Sequence, residues 1–382
     1  MESLILTEVI GGLGVVTLNR PKALNALSLE MVRELDRVLR RWAADGAVHG
    51  VLLRGSARPA EAGKPAGPVH FCAGGDIRFM HQAATTGDLA LDDFFTEEYA
   101  LDHLIHTFAK PVIAWLEGVT MGGGMGLAQG ARLRVVTPSV RMAMPETRIG
   151  LFPDVAGGHF LSRLSGHVGE YLGVVGPQLN AAEALGLGLA DVGAQADSLT
   201  VLLQDLQERP LRQGDDVCQR VRSHAEQHDT GDWPEAAVLA EAPRIQRHFS
   251  LPTVQAIEAS LKQDDSEWAR QTLHHMAGHS PLMMCVTLEQ IRRARTMPLA
   301  DEFRMERDLV RHCFGLRKGA ASETVEGVRA LAIDKDQRPR WHPATLGEVT
   351  PDMVAAFFQP VWPDHVHPLR DLLAVAGDER AA

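Results

Sequence analysis

A repeated local pattern restricts the folds open to this chain. A short apolar run leads into a glycine-rich corner, and the corner opens a helical stretch. The pattern occurs at His70-Phe71-Cys72, followed by Ala73-Gly74-Gly75-Asp76 and a helix predicted from Ile77. It recurs at Pro111-Val112-Ile113-Ala114-Trp115-Leu116, followed by Gly118 to Gly124 and a helix predicted to begin near Met125. Apolar runs of that length, bounded by turn residues, read as buried strands. Strands alternating with helices predict an α/β arrangement over residues 1 to about 200, with the strands largely buried.

The flanking sequence fits this reading. Leu4–Val9 and Val15–Asn19, joined across Gly11-Gly12-Leu13-Gly14, predict a hairpin. Ser28 is a good N-cap for a helix over Leu29 to Ala44, with Met31, Leu35, Val38, Leu39 and Trp42 on one face. Gly50–Gly55 and Leu133–Val136 predict two more strands, and Arg58–Pro68 a surface loop. From Leu199 on, helical periodicity dominates, with helices predicted at 254–262, 267–276, 281–295, 299–313 and 324–333. The polar segment Arg209–Pro234 reads as a flexible connection.

The formal net charge is -11, which argues against a nucleic acid or an anionic membrane as the main partner. No apolar stretch approaches the length of a membrane span, and no charged n-region precedes an apolar h-region. The four cysteines, Cys72, Cys218, Cys285 and Cys313, show no C-x-x-C spacing and fit thiols in a reducing compartment. Together these lead us to expect a cytoplasmic protein. The His274-His275 pair reads as a solvated helix surface, and no metal-ligand cluster stands out.

Three features carry chemistry. Glycines at the two corners let backbone N–H groups approach a ligand without Cβ obstruction. Two such donors converging on one carbonyl oxygen form an oxyanion hole, at roughly 3–4 kcal/mol each, and a following helix adds its positive end. Taken singly, each corner reads first as a tight turn with no ligand. Second, Glu146 and Asp154 lie eight residues apart in the otherwise apolar, glycine-rich run Met144–Asp154. Desolvation there would raise their basicity and suit either to act as base or nucleophile on an acyl group. A cap, a pairing with Arg148 or a turn would explain them equally. Third, Glu98 falls on the apolar stripe of Leu91, Phe94, Phe95, Leu101, Ile105 and Phe108, where a carboxylate needs a partner, a task or a path to water.

The run Asn19-Arg20-Pro21-Lys22-Ala23-Leu24-Asn25-Ala26-Leu27, the corner Phe71–Ile77 and the stretch Lys110–Gly124 together resemble the enoyl-CoA hydratase (crotonase) superfamily. The resemblance implies a spiral of ββα units over residues 1–200 and a helical C-terminal region over 201–382. It implies that Lys22, Ala23 and Leu24, with Ala73, Asp76 and Ile77, line the acyl-CoA, and that the N–H groups of Gly75 and Gly123 hold the thioester carbonyl. Hydratases of the superfamily carry a glutamate shortly after the second glycine loop. Gly126 stands there in this chain, while Glu146 retains the later position.

Phe94–Tyr99, Met121–Gly126, Met144–Gly158 and tail segments including Ser280-Pro281-Leu282 and Phe303-Arg304-Met305-Glu306 resemble the 3-hydroxyisobutyryl-CoA hydrolase branch. Ala156 departs from the glycine common there. By that resemblance Glu146 attacks the thioester carbonyl or activates water, Asp154 contacts the 3-hydroxyl or the water, and Glu98 completes the acyl pocket. Lys335 resembles a position near the CoA phosphates, and reads equally as a surface lysine. Coenzyme A enters as part of the substrate, so no separate cofactor or metal is expected. Superfamily members often assemble from trimers, which leaves a homo-oligomer open. An isomerase or hydratase of the same fold, and a non-catalytic CoA-binding or RNA-binding member, are the competing expectations.

Overall fold

The computed structural model describes residues 3–60 and 65–373, so the expected Arg58–Pro68 loop lies partly outside them. The strands are β1 (Ile5–Ile10), β2 (Leu13–Leu18), β3 (Gly50–Gly55), β4 (Val112–Leu116), β5 (Val119–Met121), β6 (Leu133–Val136), β7 (Arg141–Ala143) and β8 (Val192–Gly193). The chain forms two compact units. One holds the residues up to Gly75, Leu101–Ala143 and Gln178–Leu239; the other holds Asp76–Ala100, Met144–Pro177 and the chain from Ala240 on.

The first unit is built on a six-stranded sheet in the order β1-β2-β3-β4-β6-β8. The predicted hairpin forms, with Ile5 opposite Leu18 and Ile10 opposite Leu13. Every other pair in this sheet is parallel. All six residues of β2 and all five of β4 are buried, which is why these strands read as continuous apolar runs rather than alternating ones. The helix Leu29–Ala44 starts where expected, with the Ser28 side chain accepting the Met31 N–H at 3.3 Å and the expected apolar face buried.

The segment Arg209–Pro234 corrects the sequence reading. It contains a helix, Val217–Gln227, capped by Asp216, rather than only a flexible connection. Val217, Val221 and Ala225 recur every four residues and pack into the core formed by Leu13, Ile113, Trp115 and Val135. Three small apolar residues among charged neighbours were enough to pack against a sheet, though their spacing is a weak signal in so polar a stretch.

The second unit is mostly helical. The predicted tail helices appear as Val254–Leu261, Glu267–Ala277, Pro281–Ala294 and Leu299–Gly315, and as Glu323–Val328 continued by a wider π-helical turn at Arg329–Ile333. Aromatic rings knit the core of this unit. Phe95 stands 5.5 Å from Phe94 and 6.0 Å from Tyr99, and Tyr99 stands 6.0 Å from Phe303. Among the described residues no helix is long and apolar enough to cross a membrane, and no disulfide joins the four cysteines.

Candidate functional site

In the first unit the two glycine corners are neighbours. Cys72 runs parallel to β5: its N–H donates to Val119 O at 3.0 Å, and its O accepts from Met121 N at 3.0 Å. Both chains then turn at the same end. Gly74 has φ 98, and a Cβ there would lie 3.3 Å from Met121 O and 3.6 Å from Gly123 N. At Gly124 a Cβ would meet Cys72 O at 2.3 Å, so a side chain would force the corners apart. Gly123 opens the helix Gly123–Gln129, where the first N–H groups have no intrahelical acceptor. Among the described residues neither the Gly75 nor the Gly123 N–H donates to a backbone carbonyl.

The run at 20–27 is laced to the first corner. Ala73 N donates to Leu24 O at 3.0 Å, and Leu27 N donates to Gly74 O at 2.8 Å. Pro21–Ala23 form a 3-10 turn, and Leu24 and Asn25 are left-handed with φ 51 and 58. Asn25 fastens the loop by donating to Ser56 O and His70 O. Lys22 and Leu24 are exposed, and Ala73 is half-buried. Thus Lys22, Ala23, Leu24, Ala73, Gly75 and Gly123, read separately along the sequence, gather at one place in this unit.

In the second unit Asp76 caps the helix Ile77–Thr86, its carboxylate accepting the N–H groups of Arg78 and Phe79 at 3.2 Å each. That carboxylate is engaged in local structure, and Ile77 is the first residue of the helix it caps.

Glu146 begins a 3-10 turn, Glu146–Ile149, and is buried. Thr147 anchors the turn, its hydroxyl bonding Val174 O at 3.2 Å and contacting His279 Nδ1 at 3.0 Å. Thr324 donates to Gly150 O at 2.7 Å. The Glu146 Oε2 atom is buried and has no hydrogen-bond partner among the described residues. Burial, reinforced by the charge of Asp154, holds its carboxyl well above the usual carboxylate range. Asp154 is also buried, and its Oδ2 accepts from the Tyr99 hydroxyl at 2.8 Å. Burial pushes it up to about 6, with the Tyr99 hydrogen bond pulling the other way. Glu98, beside Tyr99 in the helix Ala90–His106, is only 2% exposed, so the path to water is closed to it. Its charge and that of Asp154 both raise the Tyr99 hydroxyl, after burial itself.

Sequence reading named Tyr99 and Glu306 only inside longer matching segments and assigned neither a role. Glu306 is fully buried and accepts the Ala156 N–H at 2.9 Å. The available signal was a pair of acids one helical turn apart, Glu302 and Glu306, on a face shared with Phe303 and Leu309. Lys335 is exposed, and the acids flanking it, Asp334 and Asp336, pair with Arg329.

Known proteins match this chain over nearly its whole length. A 3-hydroxyisobutyryl-CoA hydrolase, mitochondrial, from Gallus gallus is 38% identical over 357 residues, covering 94% of this chain and 89% of its own. The enzyme of that name from Xenopus laevis is 39% identical over 356 residues, covering 93% and 88%. Among solved structures, an enoyl-CoA hydratase from Rhodobacter sphaeroides 2.4.1 superposes with TM-score 0.81 at 33% identity, covering 94% of this chain and 98% of that one. A carnitinyl-CoA dehydratase from Mycobacterium thermoresistibile gives 0.80 at 32%, covering 95% and 98%. The crotonase-like fold expected from the sequence is the observed one.

These matches overturn the expected cytoplasmic location, because the curated relatives are named as mitochondrial proteins. The inference failed for a physical reason. Cysteines without a C-x-x-C spacing fit thiols in any reducing compartment and do not distinguish the cytoplasm from another. The profile of the enoyl-CoA hydratase/isomerase family matches residues 13–358, and with it this chain belongs to that family.

Proposed function

We propose that this chain is an acyl-CoA thioester hydrolase whose preferred substrate is 3-hydroxyisobutyryl-CoA or a near 3-hydroxyacyl relative. The observation that carries the reading is the buried pair Glu146 and Asp154, with Glu146 Oε2 left without a hydrogen-bond partner among the described residues. A carboxylate so desolvated is a stronger base and nucleophile than one in water. The names of the curated relatives support the same chemistry.

In this scheme the N–H groups of Gly75 and Gly123 polarise the thioester carbonyl and take up the charge that grows on its oxygen. Glu146 attacks the carbonyl carbon to give a mixed anhydride, or removes a proton from an attacking water. The C–S bond breaks and coenzyme A leaves as the thiolate, which takes up a proton. On the anhydride route a water then cleaves the anhydride and restores the Glu146 carboxylate, so either route consumes one water and releases the acyl group as a carboxylate. Asp154 binds the 3-hydroxyl or orients the water, and Glu98 borders the acyl group. Lys22, Ala23, Leu24 and Ala73 are assigned to the coenzyme A portion.

Hydration of a double bond is disfavoured at Gly126, where the superfamily's hydratases carry a glutamate. In this chain that position is a buried glycine inside a short helix. The deciding assay follows thiol release from 3-hydroxyisobutyryl-CoA with a thiol reagent. Glu146→Gln is expected to lower kcat by about 10²–10⁴-fold with an intact thermal transition. No thiol release by the parent enzyme, alongside conversion of 3-enoyl-CoA to 2-enoyl-CoA, would replace this reading with an isomerase. Full activity in Glu146→Gln would remove the mechanism.

A further inference from the structure

The turn that carries Asp154 has an unusual backbone. Val155 and Ala156 are consecutive non-glycine residues in the left-handed region, with φ 56 and 65. Val155 is β-branched, the residue type least suited to that conformation. Backbone of this kind persists only where surrounding structure over-determines it, and such sites cluster where function demands them.

Here the restraints come from two helices distant in sequence. Gln290, in the helix Pro281–Ala294, donates through Nε2 to Pro153 O at 2.7 Å, just before Asp154. Glu306, in the helix Leu299–Gly315, accepts the Ala156 N–H on Oε2 at 2.9 Å and the Gly158 N–H on Oε1 at 3.4 Å. Gln290 Nε2 also donates to Glu306 Oε1 at 3.1 Å, so the two restraints form one connected clamp. Both side chains are 0% exposed. A third group acts on the side chain itself, the Tyr99 hydroxyl donating to Asp154 Oδ2. Tyr99 is 0% exposed, and its ring is fixed between Phe95 and Phe303.

We propose that Tyr99, Gln290 and Glu306 are positioning residues that aim the Asp154 carboxylate, through its backbone turn and through its Oδ2 atom. The proposal rests on the reading that Asp154 acts on the acyl group or the water. The polarity of the clamp argues against a purely structural role. Buried acids and amides that could be exchanged for well-packed apolar side chains often lower stability rather than raise it. These polar groups are instead directed at the turn around one residue. Burial and the neighbouring Glu302 hold the Glu306 carboxyl well above its usual range.

The test is a pair of double-mutant cycles read by thiol release from 3-hydroxyisobutyryl-CoA. Tyr99→Phe and Glu306→Gln are each made alone and in an Asp154→Asn background. Each single variant is expected to lower kcat by about 10-fold or more, with KM within threefold and a cooperative thermal transition. In the Asp154→Asn background each should lower kcat less than twofold further, because the group they aim is already gone. Losses that multiply with that of Asp154→Asn, or KM changes without kcat changes, would overturn the positioning role. Should Glu306→Gln fail to fold, Tyr99→Phe, which deletes a single hydroxyl, decides by the same criterion. Parent-level kcat in Asp154→Asn alone would remove the assignment of Asp154 and this proposal with it, while leaving the hydrolase reading to the Glu146→Gln result.

Discussion

At the scale of single residues, two buried acids explain why a functional position can oppose stability. Burial pushes the Asp154 carboxyl from an ordinary 3.8 up to about 6. Its folded form therefore prefers the proton. The stability this contributes is complete below about pH 4 and is lost as pH rises through about 6. Asp154→Asn is thus expected to raise the melting temperature at pH 7 while lowering turnover, checked by calorimetry and thiol release on the same sample. The same substitution removes a charge that raises Glu146. The acid limb of kcat/KM should accordingly move to lower pH in Asp154→Asn, an outcome read from a pH–rate profile. Ala156 offers an independent check. Its φ of 65 costs a residue with a Cβ about 1 kcal/mol, so Ala156→Gly should stabilise the protein by up to that amount in denaturant titration.

At the scale of elements, the glycine corners matter because they are backbone-to-backbone contacts. A Cβ at Gly124 would reach 2.3 Å from Cys72 O, a main-chain atom that can move only if its strand moves. Gly124→Ala should therefore lower kcat at least 10-fold and also lower the melting temperature, measured together by thiol release and thermal unfolding. Helix positions divide into legible and illegible for a related reason. The Leu29–Ala44 helix was readable because its cap and its apolar stripe are local periodicities. The Val217–Gln227 helix was not, because its buried face is three residues wide and its value lies in the sheet it covers.

At the scale of the whole molecule, the net charge of -11 argues against RNA as a partner. RNA binding driven by phosphate contacts is strongest at low salt. Mixing the protein with single-stranded RNA at low ionic strength is expected to give no change in fluorescence anisotropy, and a salt-sensitive rise would restore the binding-protein alternative. The charge does not identify the substrate. That depends on a few atoms whose placement the net charge does not describe.

What the chain determines by itself is what nearest neighbours along it can encode. Strand and helix periods, the capping serine, the two glycine corners and the acids Glu146 and Asp154 could all be read in order, and the family resemblance supplied the fold. What tertiary structure alone decided is which remote groups meet. Tyr99 reaches Asp154 across 55 positions, and Glu306 reaches Ala156 across 150. No local spacing records such a meeting, because it depends on how helices pack after their own hydrogen bonds are complete. The burial that shifts the acids is likewise a property of the packed core, which exists only once the chain has folded around them.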